Sequence, residues 1–392
     1  MGVISTPMPI EMMHLMGTMQ PIAMIPAPQG TYTGATISIG SVNVMYMDPT
    51  FGVPVQATIP GPINVSVGFG SPVTVGSTPV AVGFDLDLAK SVTMTAAGAF
   101  SMAPVFNVTA GAQGSGNPMD PSDGGIDGLM GMVSGVSGSS FTMASMQAAQ
   151  GFTFATNSST VFDGTSMGTM AGGVLLLVDA TLQSDGTLLA TRVRSMMGAG
   201  GVMGGGIITA LNGQPPTSLT MVMQNGAGMG MMSSMFAGEV TVDLAAGTSY
   251  EIDDDNVDMT GLPFTPVFDA SHIYAGQSVM PASVSGMMSG GMMGLTAGTM
   301  TASSIELEPQ GLSGTVSLGI GSGTQTSFTL TLPAGCAFTT LTGATSVTVY
   351  QQPQTVVVSG SSITSGSTLH VFGLLFQDAG QWKMVAARMG TN

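Results

Sequence analysis

The residue type with the most chemical potential in this chain is methionine, of which there are 36. Thioether sulfur is a soft ligand that selects Cu(I), and a neighbouring imidazole adds affinity. One methionine cluster surrounds a histidine near the N-terminus, and later clusters lie in glycine-rich stretches. The candidate copper(I) ligands are Met12, His14, Met16, Met229, Met232, Met287, Met288, Met292 and Met293. Three other uses stay open: packing in a core, contact with a neighbouring subunit, and a sacrificial sink for oxidants.

A second group of candidate ligands is acidic. Calcium takes six to eight oxygen ligands, and extracellular modules bind it with dissociation constants of about 10⁻⁴ to 10⁻³ M. Asp253, Asp255 and Asp258 are the candidate residues for such a weak site. Their spacing matches neither an EF-hand loop nor a nonapeptide calcium repeat, so a solvated acidic loop is the alternative. Beyond weak Ca²⁺ or Cu(I), the sequence predicts no cofactor.

Catalytic motifs are weak. Residues 164–168 read Gly-Thr-Ser-Met-Gly, which fits the G-x-S-x-G pattern around Ser166. A nucleophile elbow needs a strand-to-helix turn and a distant histidine and acid. The three histidines, His14, His272 and His370, are scattered along the chain. We therefore expect no catalytic site and predict that the protein is not an enzyme.

These side chains must be positioned by β-strands, because helical periodicity is almost absent. Alternating Val, Thr, Ile and Phe, bounded by Gly, Pro, Asn and Asp, indicate strands. The clearest runs are residues 35–47, 63–68, 218–223, 239–244, 327–332 and 345–358. The sequence therefore predicts an all-β fold.

A pattern of five strands recurs three times after a linker rich in Gly, Ser and Asp. Five strands are what a small barrel needs to close and so remove its sheet edges. We predict an N-terminal β-sandwich followed by three small tandem β-barrel-like domains, the second with Met- and Gly-rich insertions. The predicted limits are 1–110 for the sandwich, 111–129 for the linker, and 130–197, 198–310 and 311–392 for the barrels.

Two stretches resemble uncharacterised bacterial families. Residues 28–33 (Pro-Gln-Gly-Thr-Tyr-Thr), 84–92 and 100–105 make residues 10–108 resemble a domain of unknown function, of the four-three-eight-two type, from surface lipoproteins. That resemblance implies a β-sandwich. Strands that the family carries ahead of residues 10–15 are missing here, so we expect an incomplete sandwich.

The second resemblance rests on residues 182–193, Leu-Gln-Ser-Asp-Gly-Thr-Leu-Leu-Ala-Thr-Arg-Val. Residues 130–390 resemble tandem copies of another uncharacterised family, of the five-six-six-six type, that occurs in exported bacterial proteins. The resemblance implies β-barrels and an extracellular location. It transfers no catalytic residue.

Composition points to the same compartment. An ordinary soluble domain is about 25% charged, whereas this chain is 7% charged with a net charge of -16. Five Lys plus Arg leave little to attract nucleic acid, and the single cysteine, Cys336, excludes an intramolecular disulfide. No apolar run reaches the ~18 residues needed to cross a membrane as a helix. The chain begins without a signal peptide pattern, so we expect an exported protein whose signal is not part of this sequence.

We therefore predict a non-enzymatic extracellular structural protein, a self-assembling subunit of a bacterial cell-surface filament or layer. β-strand and Met-rich contacts would join its copies into a homo-oligomer or homopolymer attached to the cell envelope. One alternative is a Met-rich copper(I)-binding protein of the periplasm or surface. Another is a glycan-binding surface module.

Overall fold

A computed structural model of the protein describes residues 4, 10, 12, 20–47, 54–95, 99–112, 124–145, 148, 150–195, 205–223, 239–254, 256–282, 300–318, 326–357 and 363–391. The described chain is built from β-strands with two helices of four and six residues. The predicted all-β fold class is therefore confirmed. None of the helices described is long and apolar enough to cross a membrane.

The N-terminal region begins with a long, bent two-stranded ribbon. Its strands are β1 (Gly30–Ile39), β2 (Val42–Met47), β3 (Pro54–Ile59) and β4 (Ile63–Val75). β1 pairs with β4 and β2 with β3, both antiparallel. The two ladders meet where Ile39 faces Ile63 and Val42 faces Ile59, so they continue one another.

A second ribbon of the same kind packs against the first. Its elements are β5 (Val80–Leu86), α1 (Leu88–Ser91), β6 (Val92–Met94), β7 (Phe100–Met102) and β8 (Phe106–Ala112). β5 pairs with β8 and β6 with β7. Between the ribbons, the rings of Phe69 and Phe84 lie 6.4 Å apart. Ile59, Val67 and Val73 are the buried apolar residues described in this region, and each keeps 6–9% of its surface exposed. The core is thin because each sheet has two strands, as expected for an incomplete sandwich.

Unit 1, residues 124–195, is a nearly closed sheet. Its strands are β9 (Gly125–Ser137), β10 (Ser140–Ala144), β11 (Phe152–Ala155), β12 (Val161–Asp163), β13 (Leu175–Leu182) and β14 (Leu188–Ser195). The order is β11-β10-β9-β13-β14-β12, and a short parallel pairing of β11 with β14 completes a ring. β12 then continues along β14 in the same parallel sense.

Units 2 (residues 205–308) and 3 (residues 310–391) are closed five-stranded barrels. Unit 2 contains β15 (Gly206–Gly213), β16 (Pro216–Met223), β17 (Glu239–Ile252), β18 (Ser278–Ala282) and β19 (Met300–Leu307). Unit 3 contains β20 (Gln310–Leu318), β21 (Thr326–Thr331), α2 (Ala337–Thr342), β22 (Ser346–Val357), β23 (Thr368–Asp378) and β24 (Gln381–Thr391). In units 2 and 3 the strand order is first, second, third, fifth, fourth, with the third and fifth parallel. Unit 1 has the corresponding order β9-β10-β11-β14-β13, with β11 and β14 parallel and with β12 added beside β14. This Greek-key barrel is of the OB-fold kind.

The units share apolar surface as well as following one another. In β13, Leu176 and Val178 enter the core of unit 1, while Leu175 and Leu177 pack with Met280 of unit 2. β23 is likewise buried on both faces. One face lines the core of unit 3, and the other, including Leu374, packs against unit 2. A strand that is buried on both faces has a nearly continuous apolar sequence, as β13 and β23 have.

Units 2 and 3 are joined by the segment between β17 and β18. From this segment, the ring of Phe264 lies 5.3 Å from that of Tyr350 and 6.0 Å from that of Phe376, both in unit 3. Lys383 Nζ lies over the same ring, 4.5 Å from its centroid. Phe264 is therefore an aromatic plug between the two barrels.

Two buried glutamines add hydrogen bonds across the same boundary. Gln277 of unit 2 donates from Nε2 to the carbonyl of Leu375 at 2.9 Å. Gln310 of unit 3 donates to the carbonyl of Gly276 at 2.9 Å and accepts from the Ser278 N–H at 2.6 Å. Gly276 has φ +92°, and a Cβ there would lie 2.6 Å from Thr342 Cγ2 of α2. Glycine is needed because both the backbone conformation and the contact with α2 exclude a side chain.

Candidate functional site

The most unusual chemical feature of the structure is a buried cluster of arginines and carboxylates between units 1 and 2. Arg192 and Arg194 lie on β14 on either side of Val193, which is in the core of unit 1. Because side chains alternate along a strand, both arginines point away from that core. There they meet acidic residues of both units. We call this cluster the arginine junction; its members are Asp127, Asp163, Asp179, Arg192, Arg194, Asp253, Glu306 and Glu308.

Arg192 bridges the two units. Its Nε donates to Asp163 Oδ2 at 2.6 Å, within unit 1. Its Nη1 and Nη2 donate to Asp253 Oδ1 at 2.8 Å and to Glu306 Oε1 at 3.3 Å, both in unit 2. Each bond is charge-assisted, which roughly doubles the strength of a neutral hydrogen bond.

Arg194 is buried more deeply, with 4% of its surface exposed. Its Nη1 donates to Glu308 Oε1 at 3.2 Å and to Asp253 Oδ2 at 3.4 Å. Asp179 Oδ2 lies 3.7 Å from Nη2, and Asp179 also accepts the Gly128 N–H at 2.7 Å. Among the described residues, Arg194 Nε has no hydrogen-bond partner.

The surrounding sheets hold the carboxylates in place. Asp179 faces Arg192 across the β13–β14 ladder. Asp253 directly follows β17, and its N–H donates to the carbonyl of Leu307 at 3.0 Å. Glu306 lies on β19. Glu308 comes just after the end of β19, and its N–H donates to the carbonyl of Ser278 at 3.0 Å. Backbone pairing thus places Asp179, Asp253 and Glu306 directly, and it places Glu308 through its own N–H.

Acids outnumber bases at the junction, and the pKa values reflect it. Burial first, and then the charges of Asp179 and Asp253, raise the pKa of Asp127 to about 7, against the opposing effect of Arg194 and Arg388. Burial likewise raises the pKa of Asp179, Glu306 and Glu308, most strongly for Glu308. The arginines stay charged, since burial is outweighed by their acidic neighbours and the pKa of both lies above the usual range.

The candidate calcium ligands do not lie in one environment. Asp253 is buried at the junction and paired with both arginines. Asp258 accepts the N–H and hydroxyl of Thr260, which lowers its pKa. Asp255 lies outside the described residues. Oxygens of Asp253, Glu306 and Glu308 do lie within 4.8 Å of one another. Because arginine nitrogens already contact all three carboxylates, we assign no metal there.

The candidate copper ligands fall almost wholly outside the described part of the chain. Met12 is described and half-buried. His14, Met16, Met229, Met232, Met287, Met288, Met292 and Met293 lie outside the described residues. The copper(I) site therefore stays a prediction.

The other residues considered for chemistry have local partners. Ser166 lies in a turn and its Oγ is 2.9 Å from Thr169 Oγ1. The next element after Ser166 is the strand β13 and not a helix, so the strand-to-helix turn of a nucleophile elbow is not formed. His272 Nδ1 lies 2.8 Å from Asp269 Oδ1. His370 Nδ1 lies 2.5 Å from Ser313 Oγ, across the β20–β23 ladder. Residues that face each other in a ladder commonly make such pairs.

The face that OB-type barrels use to bind ligands carries no charged side chain suited to nucleic acid in the described part of units 2 and 3. Such barrels bind oligonucleotides and oligosaccharides on their second and third strands. In unit 3, the half-buried side chains of Ser327, Thr329 and Thr348 lie there. The described residues of β16, β17, β21 and β22 include no Lys or Arg. This face offers no cation for a phosphate backbone.

Fold and junction together define a six-stranded, nearly closed sheet followed by two closed five-stranded barrels, joined through buried charged and apolar contacts. Residues 130–194 match a known family, described as a domain of unknown function, DUF5666. A domain of an uncharacterised family is therefore present at these residues. Membership of the later units, and the N-terminal resemblance, stay predictions.

Other comparisons add little. None of the curated proteins matches the chain. A solved structure from Streptococcus pneumoniae TIGR4, described as a multidomain protein with nucleic acid binding domains, is 8% identical. Its match covers 66% of this chain and 72% of that chain, with a TM-score of 0.13. At such a TM-score the likeness carries no argument about fold or function.

The sequence contained one signal for the junction. The last strands of the three units, β14, β19 and β24, can be aligned on a buried alanine and a buried apolar residue three positions later: Ala190 and Val193, Ala302 and Ile305, Ala386 and Met389. The next residue is Arg194 in unit 1, Glu306 in unit 2 and Gly390 in unit 3. Equivalent positions of neighbouring units thus carry opposite charges, which sequence alignment of the repeats would have shown.

Proposed function

We propose that this protein is a non-enzymatic structural subunit of a bacterial cell surface, which self-assembles into a filament or layer. The observation that carries the proposal is an open strand edge in the N-terminal region. β1 is ten residues long and, in the described chain, pairs with β4 alone. Its sequence, Gly-Thr-Tyr-Thr-Gly-Ala-Thr-Ile-Ser-Ile, contains no charged residue and no proline.

Such an edge is a template for pairing with another chain. Natural monomers guard long edges with charges, proline, bulges or covering elements. β1 has a bulge between Tyr32 and Gly34, which leaves the stretch from Ala35 to Ile39 in regular register. We infer that a strand of a neighbouring copy pairs with this stretch. The contact would be heterologous, and contacts of that type extend into open fibres.

The rest of the chain suits a load-bearing role. Units 2 and 3 share one apolar cluster, and the arginine junction ties unit 1 to unit 2. The apolar contact between units 2 and 3 resists bending about their connection, and the junction keeps unit 1 attached to them. The scarcity of charge supports an extracellular location. The resemblance of the repeats to a family that occurs in exported bacterial proteins supports it as well.

Charges placed on the open edge should suppress assembly. We expect Thr36→Lys combined with Ser38→Lys to abolish fibres or sheets seen by electron microscopy of the purified full chain. Both side chains are exposed, so the fold should be retained. The measurement is negative-stain microscopy with light scattering of wild type and variant at equal concentration.

The matched control adds the same two charges to a guarded strand. Thr326 and Thr331 are exposed on β21, which is paired on both sides with β20 and β22. Thr326→Lys with Thr331→Lys should assemble like wild type. A wild-type chain that stays monomeric at high concentration would refute self-assembly, and equal loss of assembly in both variants would refute the β1 edge as its site.

A further inference from the structure

The arginine junction holds more negative charge than its cations neutralise. From unit 1 it receives Asp127 on β9, Asp163 on β12 and Asp179 on β13, and from unit 2 it receives Asp253, Glu306 and Glu308. Arg192 and Arg194 on β14 face them, and Arg388 on β24 of unit 3 acts on Asp127 from further away. If every carboxyl is ionised, six negative charges face three positive ones.

Such an excess is costly because most of the cluster is out of water. Arg194, Asp179, Asp253 and Glu306 are each at least 92% buried. A buried carboxylate without its own cation loses several kcal/mol of hydration, so it binds a proton or moves back to water. Within a single folded unit these acids cannot leave. At a contact between two units they can, because separation of the units rehydrates them.

We propose that the contact between unit 1 and unit 2 is a proton-controlled joint, closed in mildly acid medium and loosened as the junction carboxyls ionise. Asp163, Asp179, Asp253, Glu306 and Glu308 already outnumber the two β14 arginines that contact them. Ionisation of Asp127, the neighbour of Gly128 on β9, therefore adds negative charge that neither arginine is described as pairing. The apolar contact of Leu175 and Leu177 with Met280 lies beside the junction and holds the units together while the charges change.

The direction follows from the pKa shifts. Each junction acid with a shifted pKa has it raised by burial, Asp127 to about 7. A group whose pKa is higher in the closed joint than in water stabilises the joint at pH values below its ordinary pKa. That contribution is lost as pH rises through the raised value. For Asp127, whose pKa is raised from 3.8 to about 7, the joint should therefore weaken as the pH rises between these two values.

The test is a distance measurement across the joint in the full chain. In a Cys336→Ser background, dyes are attached at Ser159→Cys in unit 1 and Thr241→Cys in unit 2, both exposed positions. Single-molecule energy transfer is recorded from about pH 4 to about pH 9 in the presence of EDTA. We expect one narrow distribution at the lowest pH and a reversible broadening as the pH rises to about 7, the value to which the pKa of Asp127 is raised.

A neutral isostere separates this mechanism from a general effect of pH. Asp127→Asn removes the titrating charge, so the broadening should fall by roughly half or more and the melting temperature at pH 8.5 should rise. Asp185→Asn is the matched control, because Asp185 is exposed in the turn between β13 and β14 of the same unit. It should respond like wild type. An energy-transfer distribution that does not change with pH, or an equal response in both variants, overturns the proposal.

Discussion

Arg194→Met is expected to destabilise unit 1 and its contact with unit 2 by about 3–5 kcal/mol, the usual result of removing one partner from a buried ion pair. Arg194 contacts Asp179, Asp253, Glu306 and Glu308 within 3.7 Å. Without its guanidinium, these acids keep their burial and lose half of their nearest positive charge. Calorimetry of the full chain should show a melting transition at a markedly lower temperature.

Two further variants identify the cause of that loss. Lys90→Met removes the same charge from an ion pair with Asp87, but the Lys90 side chain is 60% exposed. Exposed pairs contribute about 0–1 kcal/mol, so this change should be nearly silent. The double variant Arg194→Met with Glu308→Leu removes a cation and an acid together and should recover part of the lost stability. If Lys90→Met costs as much as Arg194→Met, burial of charge is not the explanation.

Phe264→Ala is expected to separate units 2 and 3, at a cost of about 3 kcal/mol for loss of a buried aromatic side chain. Phe264 fills the space between the barrels against Tyr350, Phe376 and Lys383. Its truncation opens a cavity and removes the ring contacts and the cation–π contact at once.

Trp382, the only tryptophan, is a natural probe of this change. Trp382 lies in unit 3, and its ring is 5.1 Å from that of Phe338 in the same unit. It is also 5.9 Å from the ring of Tyr274, which belongs to the segment between β17 and β18 of unit 2. In Phe264→Ala the tryptophan emission should shift to the red at a lower urea concentration than in wild type. Phe264→Leu keeps most of the volume and should cost about 1 kcal/mol. An unchanged urea midpoint for the alanine variant would show that the plug does not hold the barrels together.

These two changes probe the different ways in which neighbouring units are joined. The contact between units 2 and 3 is mainly apolar. The buried side chains of Gln277 and Gln310 add hydrogen bonds to backbone groups across it. The contact between units 1 and 2 depends on charge, and we expect pH to control that contact alone. A surface subunit built in this way would bend at one joint and stay rigid at the other.

The strands could be predicted from the sequence because their cause is local. Alternation in residues 218–223 and 327–332 places every second side chain in a barrel core, and the structure has β16 and β21 there. β13 and β23 are largely apolar on both faces, so alternation could not assign their second face. That face is buried by another unit, and no local pattern specifies which unit it is.

The candidate site shows the opposite case. Methionine, the chemical excess of the sequence, gives no described cluster, whereas the arginine junction draws on residues as far apart as Asp163 and Glu308. Asp253 belonged to the predicted calcium group through its neighbours in sequence, and the fold gave it arginines as partners. Sequence proximity predicts ligands only where one loop supplies them.

By itself, the sequence determined the all-β class, the scarcity of charge and the strands that form each unit, because composition and alternation act within a few residues. Only the tertiary structure decided which faces of the units meet, that Phe264 enters the space beside Tyr350, and that Arg192 and Arg194 share one buried cluster with Glu306. These depend on contacts between residues up to 114 positions apart. The physical reason is that desolvation and charge pairing act through space and become defined only when the units pack together.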